Sequence, residues 1–380
     1  MKKVALIISA LIITSTLLFP LPLSAEESDE SPQREVKYKA EITELEIEQC
    51  PESYGEGDCF FFNLEIISGD KKGETVESIA KPNDDPKLNF LNYKKGLKVY
   101  IVETEVAGET QYYVKEPLRK TPLITLTLLF ILFVIAIGGL QGLGSLLGLA
   151  ISFAVIIVFI IPLMLSGTNP IMASIIGSSI ILTSSIYLSH GFNKKTSIAL
   201  VGTLISLVIT ALLASLYTYA TRLTGYSTDE ATFLVQLIDK TLDMKGILLA
   251  SLIIGGIGIL DDITVSQVST ITELFNANPS FKWEELFKRS MKVGRDHIAS
   301  MVNTLVLAYT GSALPLIMLF TASGAGFEEI INFELVAEEI VRTLIGSIGL
   351  ILAVPITSFI ACLIITQRQA KQNGFRRIQR

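Results

Sequence analysis

Residues Gly246–Glu273 read GILLASLIIGGIGILDDITVSQVSTITE, a run long enough to cross a bilayer with two adjacent carboxylates well inside it. An Asp near the centre of a membrane helix costs about 2.5–3.5 kcal/mol on insertion scales, so Asp261 and Asp262 together cost roughly 5–7 kcal/mol. The eleven Ile, Leu and Val residues from Ile247 to Val265 return about 0.3–0.6 kcal/mol each, roughly 5 in all. The segment therefore inserts only marginally by itself, and its acids need partners. At 3.6 residues per turn, Ser251, Gly255, Gly258, Asp262, Ser266, Ser269 and Glu273 fall on one stripe. Small residues permit close helix approach and polar ones need partners or water, so this stripe is expected to face other helices or an aqueous cavity.

Taken whole, the 380-residue chain is 50% hydrophobic with a mean hydropathy of +0.52, which places it in the membrane class. Its charges are segregated, so the net charge of −6 decides nothing alone. It has no basic arm with interleaved aromatics, which argues against a nucleic-acid partner. From Thr121 onward seven apolar spans are expected, at about 122–139, 143–165, 170–189, 196–219, 246–268, 298–320 and 341–366. These make up a helical membrane domain over 119–366, and membrane lipid is its first partner.

The N-terminus has a different character. Lys2 and Lys3 precede an apolar run, Val4–Phe19, and then Pro20–Ala25; this order reads as a secretory signal over 1–25, either cleaved after Ala25 or kept as an anchor. Both versions export the segment beyond Ala25. Residues 26–118 are polar and β-rich, with runs at Val36–Ile47, Phe60–Ile67, Glu74–Ile79, Leu97–Val106 and Tyr112–Lys115 after a flexible leader, Ser28–Gln33. The separating turns are Pro51–Asp58, Ser68–Gly73, Pro82–Pro86 and Ala107-Gly108. Five short strands predict an extracytoplasmic small β-barrel of the OB type, or a plain sandwich. Cys50 and Cys59 flank one hairpin tip, where they form a disulfide in an oxidising compartment or stay free thiols in a reducing one. Cys362 is expected to pack as a small hydrophobe.

Basic residues orient the spans. With the β-domain outside, the inner loops and tail carry Lys194, Lys195, Lys282, Lys288, Arg289, Lys292, Arg295, Arg368, Lys371, Arg376, Arg377 and Arg380, whereas the outer loops carry Arg222, Lys240, Lys245 and Arg342. Twelve against four places the basic tail, 367–380, in the cytoplasm. Two loops read as interfacial helices or as ordinary amphipathic helices docked on the bundle: an outer one opened by the capping box Ser227-Thr-Asp-Glu230, with Phe233, Leu234, Leu237, Ile238 and Leu242 on one face, and an inner one around Trp283, Leu286, Phe287 and Met291.

The polar residues of the later spans suggest a site. Span six enters through Gly294-Arg-Asp-His297, putting Arg295 and Asp296 at the inner boundary, and carries Ser300, Asn303, Thr304, Tyr309, Gly311, Ser312 and Pro315. Asn303 and Thr304 serve as helix glue or as neutral ligand oxygens. Span seven carries Arg342, Gly346, Gly349, Ala353 and Thr357 on one stripe, a kink at Pro355, and a local ion pair between Glu339 and Arg342. Asp261 and Asp262 admit three uses: a cation or proton site with Ser266, Asn303, Thr304 and Tyr309 nearby; a structural pair with Arg295 or Arg342; or intramembrane aspartyl proteolysis. Proteolysis fits poorly, because it needs carboxylates on two facing helices and span six offers Asn303 instead. Gly256 and Gly258 faintly echo a dinucleotide loop but lack a βαβ context, and there is no phosphate-loop sequence. No cofactor, metal or enzymatic activity is therefore expected. His190 and His297 sit at inner boundaries as interfacial residues.

The ordered set Gly256-Ile-Gly-Ile-Leu-Asp261, Gly294-Arg-Asp-His297, Asn303–Tyr309, Gly311, Pro315, Glu339-Ile-Val-Arg342, Gly346-Ser-Ile-Gly349 and Pro355 resembles the YibE/F-like membrane proteins of bacteria, from the β-domain through span seven. The chain departs from that pattern in carrying Asp262 after Asp261 and in lacking basic residues in its first inner turn, Gly139–Gly142. The resemblance implies a polytopic protein of the bacterial cytoplasmic membrane, with an exported β-rich head and a permease-like role, and it names no substrate. The expected function is gradient-driven movement of an ion or small solute, with a cation or proton at the acids and Glu339 and Arg342 at the outer approach. The alternative is a scaffold whose head recruits an envelope partner. A homo-oligomer is compatible with both.

Overall fold

The computed structural model describes residues 36–51, 57–81, 90–106, 109–238 and 242–378. The signal segment 1–25, the leader Ser28–Gln33, the turn Pro82–Pro86 and Lys240 lie outside the described residues. The chain divides into two compact units, 1–132 and 133–380.

The first unit is built on a five-stranded antiparallel sheet: β1 (Val36–Gln49), β2 (Asp58–Ile66), β3 (Thr75–Ala80), β4 (Lys98–Val106) and β5 (Glu109–Pro117), in the order β3-β2-β1-β4-β5. Alternation dictates the core. Tyr38, Ala40 and Ile42 of β1 point inward with Phe62, Leu64 and Ile66 of β2, and Val99, Ile101 and Val114 complete the cluster. The long β1 pairs with β4 through its first half and with β2 through its second, with a register irregularity between Ile42 and Glu44 that bends it. The sheet curls so that its outer strands, β3 and β5, approach each other.

Two local devices hold this unit. Lys71, in the β2–β3 turn, donates to Glu103 Oε1 (2.5 Å) and to the Tyr112 hydroxyl (3.1 Å), tying that turn to β4 and β5. Gly69 in the same turn has φ +87°, and a Cβ there would stand 2.9 Å from the Tyr38 ring, so both backbone and space require glycine. Cys50 and Cys59 are joined by a disulfide with Cα atoms 4.9 Å apart. Closing a loop of nine residues' separation stabilises by about 2–3 kcal/mol on the chain-entropy account. Reducing it is expected to loosen the β1–β2 hairpin end selectively. Hydrogen exchange of the amides around Cys59, with and without reductant, checks this.

The second unit is helical, and helix α1 (Lys120–Val155) leads into it. Gly139 interrupts α1 with φ 55° and ψ −134°, a conformation that suits glycine alone. Residues eight apart in a straight helix stand about 12 Å apart, yet the space a Cβ would need at Gly142 is filled by the Val134 carbonyl. The chain has therefore folded back at Gly139. A π-type turn, Ile156–Ile160, and the short α2 (Ile161–Leu165) follow. Pro162, with no N–H to donate, accounts for the widened turn before it.

The remaining helices are α3 (Pro170–His190), α4 (Lys194–Ala220), α5 (Asp229–Leu237), α6 (Met244–Ala277), α7 (Trp283–Ser312), α8 (Leu314–Ser323), α9 (Phe327–Asn332) and α10 (Glu334–Ile378). Side chains start them: Asn169 accepts from Ile171 N–H (3.0 Å), Asn193 from Thr196 N–H (2.9 Å) and Asp243 from Gly246 N–H (2.9 Å). Against seven expected spans, five described helices are long and apolar enough to cross a membrane, or six if the bent pair α7–α8 counts as one. The first two expected spans run together through Gly139. The sixth is broken by a 62° bend just before Pro315.

The expected outer helix is found as α5 with a different cap, and the inner one is docked on the bundle as part of a longer helix. In the outer loop, Thr228 rather than Ser227 caps α5, accepting from Ala231 N–H (3.2 Å). The inner one is not separate: Trp283–Met291 forms the first turns of α7, continuous with the helix that carries Asn303. Leu286 is buried against Ile198, Val268 and Ile271, so that segment packs on the bundle end.

Candidate functional site

Helix α6 packs against α3, α4, α7 and α10. Glycines set how closely. Gly349 of α10 leaves room for the Thr210 hydroxyl of α4, Gly202 of α4 for that of Thr357, and Gly294 of α7 for Val354 and Gln267. Polar groups then pair across the contacts: Thr203 with Thr264 (2.6 Å), and Gln267 Nε2 donating to Ser358 Oγ (2.8 Å) and the Ser290 carbonyl (3.1 Å). This is the close-packed, hydroxyl-rich contact expected where apolar burial between helices supplies little drive.

Asp261 sits in this seam. Its Oδ2 accepts from Ser185 Oγ of α3 at 3.3 Å, long for a hydroxyl–carboxylate bond, while its Oδ1 is enclosed with no hydrogen-bond partner among the described residues. No described ion pair includes Asp261. A carboxyl so placed is completed by a proton, a cation or ordered water. Asp262 follows at 100° around the helix and is exposed.

The stripe expected to face other helices or an aqueous cavity packs against no described helix of the chain. Ser251, Gly255, Gly258, Asp262, Ser269 and Glu273 are exposed and Ser266 is half-buried; a Cβ at Gly255 or Gly258 would touch nothing. The packed face of α6 instead carries Gly256, Leu260, Ile263, Thr264, Gln267 and Ile271. Asn303 and Thr304 lie on the exposed side of α7, Thr304 bonding back to the Ser300 carbonyl (3.0 Å), and no described contact joins either to Asp261 or Asp262. Tyr309 is half-buried, and Arg295 and Asp296 are exposed. Glu339 and Arg342 form an ion pair. Thus Asp261 finds α3, not α7.

Sequence reasoning missed Ser185, Gln267 and Glu338. Ser185 belongs to the run Thr183-Ser-Ser185 inside span three, an available but common signal. Glu338 stands beside the expected Glu339–Arg342 pair, which is found, and is itself only 5% exposed.

Comparison with known families covers the helical part: the model of the YibE/F-like proteins matches residues 126–367. The chain belongs to the YibE/F-like family. The match begins after β5, so it covers less than the resemblance read from the sequence, which included the β-domain. No curated protein matches the chain, and no solved structure does. Family and apolar helices together make this YibE/F-like chain a membrane protein.

Proposed function

We propose that this YibE/F-like protein is a gradient-driven permease for a small cation, most simply a proton, with Asp261 as the binding carboxylate. The observation that carries this is the enclosed, unpartnered Oδ1 of an acid midway along an apolar helix, with only a weak bond from Ser185. Such acids are costly in a membrane and mark ion or proton pathways. The test is proton uptake into vesicles holding the purified protein, followed by an internal pH dye under an imposed gradient. Uptake above empty vesicles supports the reading; dissipation of none of the proton, Na⁺ or K⁺ gradients overturns it. No enzymatic step and no cofactor are proposed.

The same reading places seven spans in a bacterial cytoplasmic membrane, with the β-domain outside and the C-terminus inside. In its favour, the 46 residues of Lys120–Leu165 would reach about 69 Å as one rod, against a hydrocarbon core of about 30 Å. The reversal at Gly139 makes two spans of them, and α3, α4, α6, the α7–α8 pair and α10 bring the number to seven. An OB-like head is supported by the approach of β3 to β5, which turns the sheet order into the cycle 1-2-3-5-4. The exposed stripe of α6, with its acid and glycines, is where we place a second copy of the chain. The alternative scaffold role is favoured by the head's own core and disulfide, which suit it to hold an envelope partner.

A further inference from the structure

We propose that Glu338 is a second proton-binding station, at the α10 N-terminal end of the bundle, connected to Asp261 by a hydrated seam of hydroxyl groups; this rests on Asp261 being a proton site. Glu338 is 5% exposed, and its Oε1 is enclosed without a hydrogen-bond partner among the described residues. Its neighbours are already engaged. Glu334 Oε1 accepts from Thr224 N–H (2.5 Å), Thr224 Oγ1 (2.8 Å) and Gly225 N–H (3.3 Å), a donor set suited to an ionised carboxylate. Arg342 pairs with Glu339. The charges acting on Glu338 are thus Glu334, Glu339 and Arg342 on its own helix, and the Ser227 hydroxyl, from the loop before α5, reaches its carboxyl. Glu339 takes the one arginine and Glu334 the donors of Thr224 and Gly225, and the third acid, Glu338, is left to carry a proton of its own.

The route inward is marked by other unsatisfied groups. Thr218 of α4 and Ser347 of α10 are buried with hydroxyls that bond to nothing described. Contacts fix their levels. Thr210 faces Gly349, and Gly202 faces Thr357, so α4 and α10 run antiparallel. Thr218, two turns beyond Thr210, therefore lies within about a turn of Glu338. Thr203 bonds Thr264 and Gly202 faces Thr357, so Thr357, whose buried hydroxyl also bonds to nothing described, lies within about a turn of the level of Asp261, with Ser347 between it and Glu338 along α10. Buried hydroxyls without partners are where ordered water completes the hydrogen bonds. In the proposed step, the Glu338 carboxyl gives its proton to a seam water, water in the seam delivers one to the Asp261 carboxylate, and Glu338 is reprotonated from the adjoining solution.

The experiment compares proton uptake by vesicles holding wild type, Asp261→Asn, Glu338→Gln, Glu338→Asp and Thr218→Val, with the melting temperature of each. Glu338→Gln is expected to lower flux by roughly 10²-fold with melting little changed, Glu338→Asp to restore part of it, and Thr218→Val to lower it several-fold. Wild-type flux that Asp261→Asn removes but Glu338→Gln and Thr218→Val leave intact would overturn the second station and spare the first. Absence of wild-type flux would overturn both. Should Glu338→Gln fail to fold, Thr218→Val decides alone, since it keeps shape and removes only the hydroxyl: unchanged flux sinks the seam.

Discussion

Vesicles carrying Asp261→Asn are expected to take up protons roughly 10²-fold more slowly than wild type, while Asp262→Asn stays within about threefold, less than the loss of one ordinary hydrogen bond. The asymmetry comes from placement. Asp261 lies against α3 with an enclosed oxygen, so its charge or proton is part of the bundle interior. Asp262 is exposed and serves, on this reading, the outer face of α6. Asparagine keeps the size of the side chain and an oxygen to accept from Ser185, so the packing of α3 on α6 survives. Its amide neither binds a proton at neutral pH nor carries the charge that attracts a cation. Removing a costly acid from an apolar helix also eases insertion, so the Asp261→Asn protein is expected to melt at or above the wild-type temperature. Loss of flux with retained stability would separate a binding role from a structural one. Equal losses for both acids would sink the assignment.

Gly349→Val is expected to give the largest loss of stability. Its Cβ would occupy the place of the Thr210 hydroxyl, which is fixed by its own bond to the Ser206 carbonyl (2.8 Å). Thr210 also borders Gly256 (3.8 Å), so displacing it disturbs the meeting of α4, α6 and α10. Overpacking of this kind costs about 1–3 kcal/mol, and for about 250 helical residues that corresponds to a fall in melting temperature of roughly 3–10 °C. Thr210→Ala in the same chain is expected to recover much of the loss, because it vacates the contested space. Gly258→Ala is the control. Nothing lies within 4 Å of its Cβ position, and alanine favours helix over glycine by about 1 kcal/mol. Thermal melts in one detergent check all three. A Gly349→Val protein as stable as Gly258→Ala would mean that α4 and α10 do not meet as described.

Glu338 shows how a residue legible in type can be illegible in role. Glutamate four residues before arginine near a helix start is ordinarily a solvated pair. Only the fold shows that Glu338 is buried. Asn303 failed in the opposite direction: an amide inside an apolar span reads as a ligand or as glue, and α7 turns it outward. The disulfide loop and the Glu339–Arg342 pair, by contrast, depend on short sequence separations, and both are found where local spacing puts them.

By itself the sequence determined the N-terminal strands with their alternating core, the positions of the apolar helices along the chain, and the presence of acids within one of them. Each depends on period-two or period-3.6 patterns and on length, which neighbouring residues fix through the backbone. Tertiary structure alone decided azimuth: that Asp261 rather than Asp262 meets α3, that the small stripe of α6 meets no described helix of its own chain, and that Gly139 is a reversal. In a membrane the outer surface is as apolar as the contacts between helices, so hydrophobicity cannot say which side of a helix is inside. Which helices surround α6, and at what angle, is set by where Gly202, Gly294 and Gly349 let partners come close, and that is a property of pairs of helices.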